Sequence, residues 1–136
     1  MSLPLDIIHA ARHLLELGQA ELASNHPRLS QSDLSVLLSV FDDPGLTANQ
    51  LASRLGRDKT TVSRSVSGLI YERLIRSEID SVDGRRRNLF LTDAGLIATD
   101  PAIKRIQEET EKLTSWMTDE HVDMFTEFLQ RIRKKE

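Results

Sequence analysis

The spacing of apolar residues changes once along this chain, close to residue 74, and that change limits the folds open to it. Up to that point most apolar residues recur every three or four positions, which is the period of an α-helix. Across Leu74–Ile79 the pattern shifts to a period of two, the turn Asp80–Gly84 follows, and Asn88–Leu91 is predicted as a second short strand. We therefore predict a β-hairpin directly after a series of helices, the arrangement of a winged helix.

Caps and turn residues divide the helical part of the chain. Thr47 and Gln50 have capping-box spacing, Asp58 is a suitable N-cap, Thr92 and Asp93 are expected to cap a later helix, and Gly56 is able to end a helix. At Pro101 we expect a kink, or a restart capped by Thr99 or Asp100. The predicted helices begin near residues 5, 31, 47, 58, 92 and 118. This order predicts a single domain over residues 1–136 that is mainly α with a small β-hairpin wing.

The charge of the chain is unevenly distributed. The formal net charge is −3, from 18 basic and 21 acidic residues. Residues 47–91 hold nine of the basic residues and five of the acidic ones, so this segment is +4 and the rest is −7. A basic module on an acidic frame suits nucleic-acid binding, because Lys and Arg displace counterions from phosphates. The alternative is an ordinary solvated surface on which cations happen to cluster.

Several classes of protein are disfavoured by what the sequence lacks. The absence of cysteine removes disulfides, thiolate catalysis and cysteine-based redox sensing. The apolar runs are too short for a transmembrane helix, and the first residues do not resemble a signal peptide, so we expect a cytoplasmic protein with no membrane partner. No phosphate loop, nucleophile elbow or paired-carboxylate motif is present, so we expect no enzyme, no catalytic residue and no cofactor.

The residues from Leu46 to Val66 have the pattern of a helix-turn-helix. Ala52, Gly56 and Val62 provide a small residue where two helices cross, a glycine for the turn and an apolar residue that packs the second helix. In that second helix Val62, Val66, Leu69 and Ile70 form one apolar stripe, which we expect to be buried. The other side carries hydroxyls and cations suited to base edges and phosphates, namely Lys59, Thr60, Thr61, Ser63, Arg64 and Ser67. The alternative is a solvated helix face.

The segment from about residue 31 to residue 96 resembles the MarR family of winged-helix transcriptional regulators. The resemblance is carried by Asp83-Gly84-Arg85, similar to the family's D-x-R wing signature, and by Leu91, Thr92 and Gly95, similar to its L-T-x-x-G continuation. It implies a DNA-binding lobe over 30–96 and a homodimer formed by helices over 5–25 and 102–134. It also implies recognition helices in major grooves of a pseudo-palindromic operator and Arg85, held by Asp83, in a minor groove. Arg86 and Arg87 would then contact the DNA backbone.

The resemblance further implies a repressor that is released by a small aromatic ligand. Four aromatic residues are candidates for lining its pocket, although aromatics at helical spacing are more often core residues: Phe41, Trp116, Phe125 and Phe128. The hypothesis of an interaction module, such as an antirepressor that sequesters another regulator, stays open.

His9 and His13 lie one helical turn apart, a spacing that is able to chelate zinc. Glu16 or His121 could join them in a metal-responsive regulator. No third ligand is fixed by the sequence and paired surface histidines are commoner, so no metal is predicted.

Overall fold

A computed structural model describes residues 1–133, and confirms that the protein is mainly α with one small hairpin. Residue 134, the last of the predicted C-terminal dimerisation helix, lies outside the described residues. The elements in chain order are α1 (Ser2–Asn25), α2 (Gln31–Asp42), α3 (Ala48–Leu55), α4 (Lys59–Tyr71), β1 (Ile75–Ile79), β2 (Arg87–Leu91), α5 (Asp93–Thr114) and α6 (Asp119–Arg133).

The predicted N-caps of the DNA-binding lobe are confirmed by their hydrogen bonds. Thr47 and Gln50 form a reciprocal capping box at the start of α3, and Thr92 Oγ1 accepts the Gly95 amide hydrogen at the start of α5. Asp58 caps α4 by accepting the Thr61 amide hydrogen at 2.9 Å. Gly56 ends α3 with a φ of 62°, a left-handed conformation that glycine adopts without steric cost.

Helix α4 ends at Tyr71, three residues before the predicted boundary. The Leu74 amide donates to the Leu69 carbonyl and the Arg73 amide donates to the Ile70 carbonyl, both at 2.9 Å, which is the Schellman motif. This motif requires a left-handed residue at Arg73, whose φ is 60°. Arg73 therefore turns the chain directly out of α4 into the hairpin.

The predicted restart at Pro101 is wrong, because α5 runs without interruption from Asp93 to Thr114. A proline inside a helix removes one backbone hydrogen bond and crowds the preceding turn, but tertiary packing is able to offset that cost. Here α5 packs along α1, where Ala102 is fully buried. Thr118 and His121 then cap α6, since the His121 amide donates to Thr118 Oγ1 at 3.2 Å.

One hydrophobic core joins α1–α5 and the hairpin. Five of these elements contribute large side chains that are fully buried, and α5 contributes Ala102: the large side chains include Leu22, Leu34, Leu37, Leu51, Leu69 and Ile75. Two glycines allow close approaches around it. At Gly18 of α1 an added Cβ would lie 2.7 Å from the Ile106 side chain, and at Gly95 of α5 it would lie 2.0 Å from the Leu74 carbonyl oxygen.

The hairpin is attached to the helices at its base as well as through its strands. β1 and β2 pair antiparallel, with Ile75 opposite Leu91 and Ile79 opposite Arg87. On the other side of β2, Leu89 accepts the Gly45 amide hydrogen at 2.8 Å and donates to the Leu46 carbonyl at 2.9 Å. The linker between α2 and α3 therefore fixes the hairpin to the helical core.

Apolar residues remain exposed at the two ends of the chain. In α6 the exposed side chains include Val122, Met124, Phe125, Phe128 and Ile132, and in α1 they include Leu3, Leu5 and Ile8. The prediction that the four aromatic residues belong to the core is wrong for the single chain, since Trp116 is 73% exposed and Phe41, Phe125 and Phe128 are also exposed. Within residues 1–133, no helix combines the length and the apolar character needed to cross a membrane.

Candidate nucleic-acid interface

The outer face of α4 is polar and fully accessible. All six residues predicted for this face are exposed, whereas Val62, Val66 and Leu69 on the opposite face are buried. Ile70 was predicted to be buried with them, and this is wrong: its side chain is 39% exposed. It lies instead on the edge of α4 that faces the hairpin, among the residues lining a groove described below.

Five of the six polar residues of α4 surround one shallow depression of about 450 Å³. They are Lys59, Thr60, Ser63, Arg64 and Ser67. Thr61 is also exposed, and its backbone amide anchors the Asp58 cap. Hydrogen bonds from Thr61 lower the pKa of the Asp58 carboxyl, so this cap is ionised at neutral pH and stabilises the N-terminal end of α4.

The tip of the hairpin is held by a network of carboxylates and backbone amides. Asp83 Oδ1 accepts the Arg85 amide hydrogen at 3.0 Å and lies 3.6 Å from Arg85 Nε. The Arg85 side chain is nevertheless 95% exposed, so the Asp83 carboxylate limits its direction without covering it. The geometry is therefore compatible both with a local ion pair in the turn and with a contact that orients Arg85.

A second groove of about 410 Å³ brings the hairpin and α4 together; we call it the wing groove. The predicted residues that line it are Ser63, Ser67, Arg85, Arg86 and Arg87. Side chains 18 or more positions apart in sequence therefore share one concave surface. Lys59, Thr60, Thr61 and Arg64 lie outside the wing groove, and so does Asp83.

Sequence reasoning missed part of the wing groove. The first residues of α3 line it, namely Thr47, Ala48 and Asn49, together with Ser77 of β1. The capping box marked the start of α3 in the sequence, but nothing local showed that this helix end faces the hairpin. Amide hydrogens at the start of a helix attract anions, so this end adds to the positive character of the groove.

The cations of the lobe divide into engaged and available groups. Arg54 pairs with Asp43 at 3.0 Å, Arg57 donates to Ser32 Oγ at 2.6 Å, and Arg76 pairs with Glu78 and lies 4.6 Å above the Phe90 ring. Arg85 pairs with Asp83. Within residues 1–133, no ion pair involves the other four cations of the α4 polar face and the wing, namely Lys59, Arg64, Arg86 and Arg87. These four side chains therefore have no carboxylate partner among the residues that the structure describes.

His13 of α1 contacts an acidic residue of α5. His13 Nε2 lies 3.3 Å from Glu109 Oε1 of α5, and this hydrogen bond lowers the pKa of Glu109, with a further contribution from Arg105. Across the residues that the structure describes, no three His, Asp or Glu side chains converge as metal ligands. His121 caps α6 and lies against Trp116, far along the chain from His9.

Comparison with known proteins identifies the same lobe. The model of the MarR family matches residues 29–86. The transcriptional regulator HosA of Escherichia coli is 24% identical over 132 residues, which cover 97% of this chain and 98% of HosA. The helix-turn-helix and Asp83–Arg85 therefore lie in the region that the family model covers, whereas Leu91, Thr92 and Gly95 lie beyond it. The likeness to HosA extends over both flanking parts of the chain.

Solved structures with the same fold include proteins with DNA or ligand bound. The transcriptional regulator SlyA superposes with a TM-score of 0.74 at 18% identity, over 99% of this chain and 94% of SlyA. A Staphylococcus aureus MepR variant bound to an oligodeoxyribonucleotide gives 0.61 at 22% identity, over 98% and 96% of the two chains. Streptomyces coelicolor PcaV, in complex with its natural ligand, gives 0.57 at 26% identity, over 93% and 90%. Together these likenesses show that the chain has the fold of MarR-family transcriptional regulators and that residues 29–86, which contain its helix-turn-helix, match the model of that family.

Proposed function

We propose that this protein is a homodimeric repressor that binds a pseudo-palindromic operator in double-stranded DNA and is released by a small-molecule inducer. The observation that carries the proposal is the wing groove, where exposed hydroxyls of α4 and exposed arginines of the hairpin share one concave surface. Such a surface is able to take a DNA strand between a recognition helix and a wing. A regulator with this partner would act in the cytoplasm.

Helix α4 is proposed to read the major groove. Its N-terminal half presents Lys59, Thr60, Ser63 and Arg64 without intramolecular ion pairs among the described residues, and recognition helices contact base edges with their N-terminal residues. Arginine is suited to guanine and hydroxyls to several base edges or to phosphates. The engaged residues Arg54 and Arg57 then fix the position of the helix-turn-helix instead of contacting bases.

The wing is proposed to reach the adjacent minor groove through Arg85. Its side chain is almost wholly exposed and is oriented by Asp83, and a narrow minor groove attracts arginine because it concentrates the negative potential. Arg86 and Arg87 point into the same wing groove region and suit the phosphates on either side.

Selection of bound sequences from random duplex DNA tests the operator proposal. At about 150 mM salt, where purely electrostatic binding is weakened, we expect enrichment of an inverted repeat with half-sites about one helical turn apart. Enrichment of no sequence by the folded dimer would refute sequence-specific recognition and favour the protein-interaction hypothesis.

The selected operator then allows a matched pair of charge deletions. Arg85→Ala is expected to weaken binding about tenfold or more and to lower the salt dependence by about one ion. Lys104→Ala removes an exposed cation of α5, which pairs with Asp100, and should change affinity little. Equal affinities of the two variants would refute the assignment of Arg85.

The homodimer is proposed to form through α6 and the first turns of α1. Helix α1 exposes Leu5 and Ile8, and helix α6 exposes Val122, Phe125, Phe128 and Ile132. A monomer with so many exposed apolar residues would associate in water. Family resemblance supports the same two helices, and a dimer would place two wing grooves on one operator.

Light scattering of two glutamate variants tests the dimer. Phe125→Glu places a charge on the exposed apolar face of α6 and is expected to give monomers or aggregates. Ile97→Glu places the same charge on an exposed position of α5 and should leave a dimer. A soluble Phe125→Glu dimer with unchanged operator binding would overturn this assignment.

The inducer is proposed to be a small aromatic molecule. The family resemblance and the ligand-bound PcaV structure support a ligand, and exposed Trp116, Phe125 and Phe128 supply aromatic surface near the proposed dimer helices. A panel of phenols and aromatic carboxylates should contain compounds that dissociate the protein–operator complex. A reporter gene placed behind the operator separates repression from activation, since a repressor lowers expression and the inducer restores it.

A further inference from the structure

The wing contains a carboxylate that the interface described above does not use. Asp80 follows the last residue of β1, and its Oδ1 accepts the Val82 amide hydrogen at 2.8 Å and the Asp83 amide hydrogen at 3.0 Å. Its Oδ2 accepts the Asn88 Nδ2 hydrogen at 3.0 Å from β2. One side chain therefore ties the loop to both strands of the hairpin.

Backbone hydrogen bonds complete the same loop. The Asp80 amide donates to the Arg86 carbonyl at 2.9 Å, and the Arg86 amide donates to the Asp83 carbonyl at 3.0 Å. These contacts leave the Asp83 carboxylate in position to accept the Arg85 amide hydrogen. The direction of Arg85 thus depends on Asp83, and the position of Asp83 depends on Asp80.

The charge of Asp80 runs against the electrostatics of a DNA-binding surface. The backbone amide of Asp83, then Asn88 and the backbone amide of Val82, lower the pKa of the Asp80 carboxyl to about 2, so the group is negative at neutral pH. A fixed negative charge close to three arginines opposes the approach of phosphates.

We propose that Asp80 is a positioning residue of the wing, which holds the loop in the shape that presents Arg85 and Arg86 to DNA without touching DNA itself. Its effect on affinity rests on the proposed operator binding, whereas its effect on the loop does not. The Asp80 side chain acts through its hydrogen bonds to Val82, Asp83 and Asn88, all of which belong to the hairpin.

Asp80→Ala separates this proposal from simple electrostatics, because the two hypotheses predict opposite changes in the operator Kd. Removing a negative charge near DNA should tighten binding if Asp80 has no positioning role. If Asp80 positions the wing, the loss of loop order should raise the operator Kd about fivefold, since binding then has to order the loop. Glu78→Ala is the matched control: it removes an exposed carboxylate two residues away that pairs with Arg76, and it should leave binding unchanged or tighter.

Exchange of the two polar partners provides the rescue. Asp80→Asn keeps an oxygen for the two backbone amides but keeps a hydrogen bond to residue 88 only if the Asn88 amide turns to present its oxygen, whereas Asn88→Asp sets two carboxylates against each other. The double variant D80N/N88D restores one donor and one acceptor in reversed order. We expect an intermediate Kd for Asp80→Asn, a raised Kd for Asn88→Asp, and nearly wild-type affinity for the double variant.

The experiment measures the operator Kd together with amide hydrogen exchange in the free protein. In Asp80→Ala we expect faster exchange at the Asp83 and Arg86 amides than in the wild type, and in the double variant we expect exchange at nearly the wild-type rate. Binding by Asp80→Ala as tight as wild type, or unchanged exchange in its loop, overturns the positioning role. If the wild-type protein selects no operator, the proposed function fails, and the exchange data still decide whether Asp80 orders the wing.

Discussion

Replacing Gly95 by alanine should destabilise the protein more than any other glycine-to-alanine change in a helix. The new Cβ would lie 2.0 Å from the Leu74 carbonyl oxygen and 3.0 Å from the Leu74 carbonyl carbon, where ordinary contact begins at 3.4 Å. Both groups belong to the backbone, so α5 and the start of β1 would have to separate. Overpacking of this kind costs typically 1–3 kcal/mol and occasionally more.

The separation would also weaken two hydrogen bonds that meet at this contact. Leu74 O accepts the Thr92 amide hydrogen at 3.0 Å, and the Gly95 amide donates to Thr92 Oγ1 at 2.9 Å. Losing them adds about 1 kcal/mol each. We therefore expect a total cost of about 3 kcal/mol or more and a melting temperature lower by roughly 10 °C.

Two other glycines provide a graded control. At Gly68 of α4 an added Cβ meets nothing within 4 Å, so Gly68→Ala should stabilise the protein by about 0.5–1 kcal/mol through helix propensity. At Gly18 the obstacle is the end of the Ile106 side chain, 2.7 Å away. Gly18→Ala should therefore be destabilising but relieved by Ile106→Val, which removes the obstructing methyl group. The three effects are measured by urea unfolding with circular dichroism at one protein concentration.

The ranking is the test of the reasoning. If Gly95→Ala unfolds at the same urea concentration as Gly68→Ala, close backbone approach at Leu74 does not limit this position. Failure of Ile106→Val to relieve Gly18→Ala would show that the α1–α5 contact is constrained by backbone rather than by side-chain packing.

Three further predictions follow from the backbone and the caps. Arg73→Gly should stabilise the protein by about 1 kcal/mol, because it removes the left-handed strain of a residue with a φ of 60°, and Arg73→Lys should match the wild type in urea unfolding. Asp58→Ala should lower the melting temperature because α4 loses its N-cap. Asp58→Asn should have the wild-type melting temperature, since asparagine caps a helix equally well. Equal melting temperatures for the wild type and both variants would contradict the capping role. The pKa of the Asp80 carboxyl is about 2 in the folded protein, against an ordinary value of 3.8. The ionised carboxylate therefore stabilises the fold fully above about pH 4, and this contribution is lost as the pH falls towards 2. The difference in unfolding free energy between wild type and Asp80→Ala, measured from pH 7 downwards, should shrink only in that acidic range.

The parts of the fold that depend on local signals were predictable from the sequence. Thr47, Asp58 and Thr92 are hydrogen-bonding caps as their types and spacing indicate, and Gly56 adopts the left-handed conformation that its position requires. The hairpin follows from its turn and its flanking strands. These features depend on neighbours within a few residues along the chain.

The parts that depend on tertiary contacts were not predictable. Pro101 indicated a break, but packing of α5 on α1 keeps the helix continuous. The start of α3 enters the wing groove only because the linker residue Leu46 is bonded to Leu89, 43 positions later in sequence. Ile70 fits the apolar stripe of α4 by periodicity, but it lies at the rim where the hairpin leaves it partly uncovered.

A wing fixed at both ends has a consequence for the way DNA sequences are distinguished. Its base is bonded to Gly45 and Leu46 through Leu89, and its loop is closed around Asp80, so the hairpin has little freedom to adjust to the shape of its partner. The duplex then has to bend or narrow to meet the protein. The energy of that deformation depends on base steps that no side chain touches, so flexible pyrimidine–purine steps between and beside the half-sites should favour binding. Part of the operator sequence would thus be selected by the stiffness of the DNA.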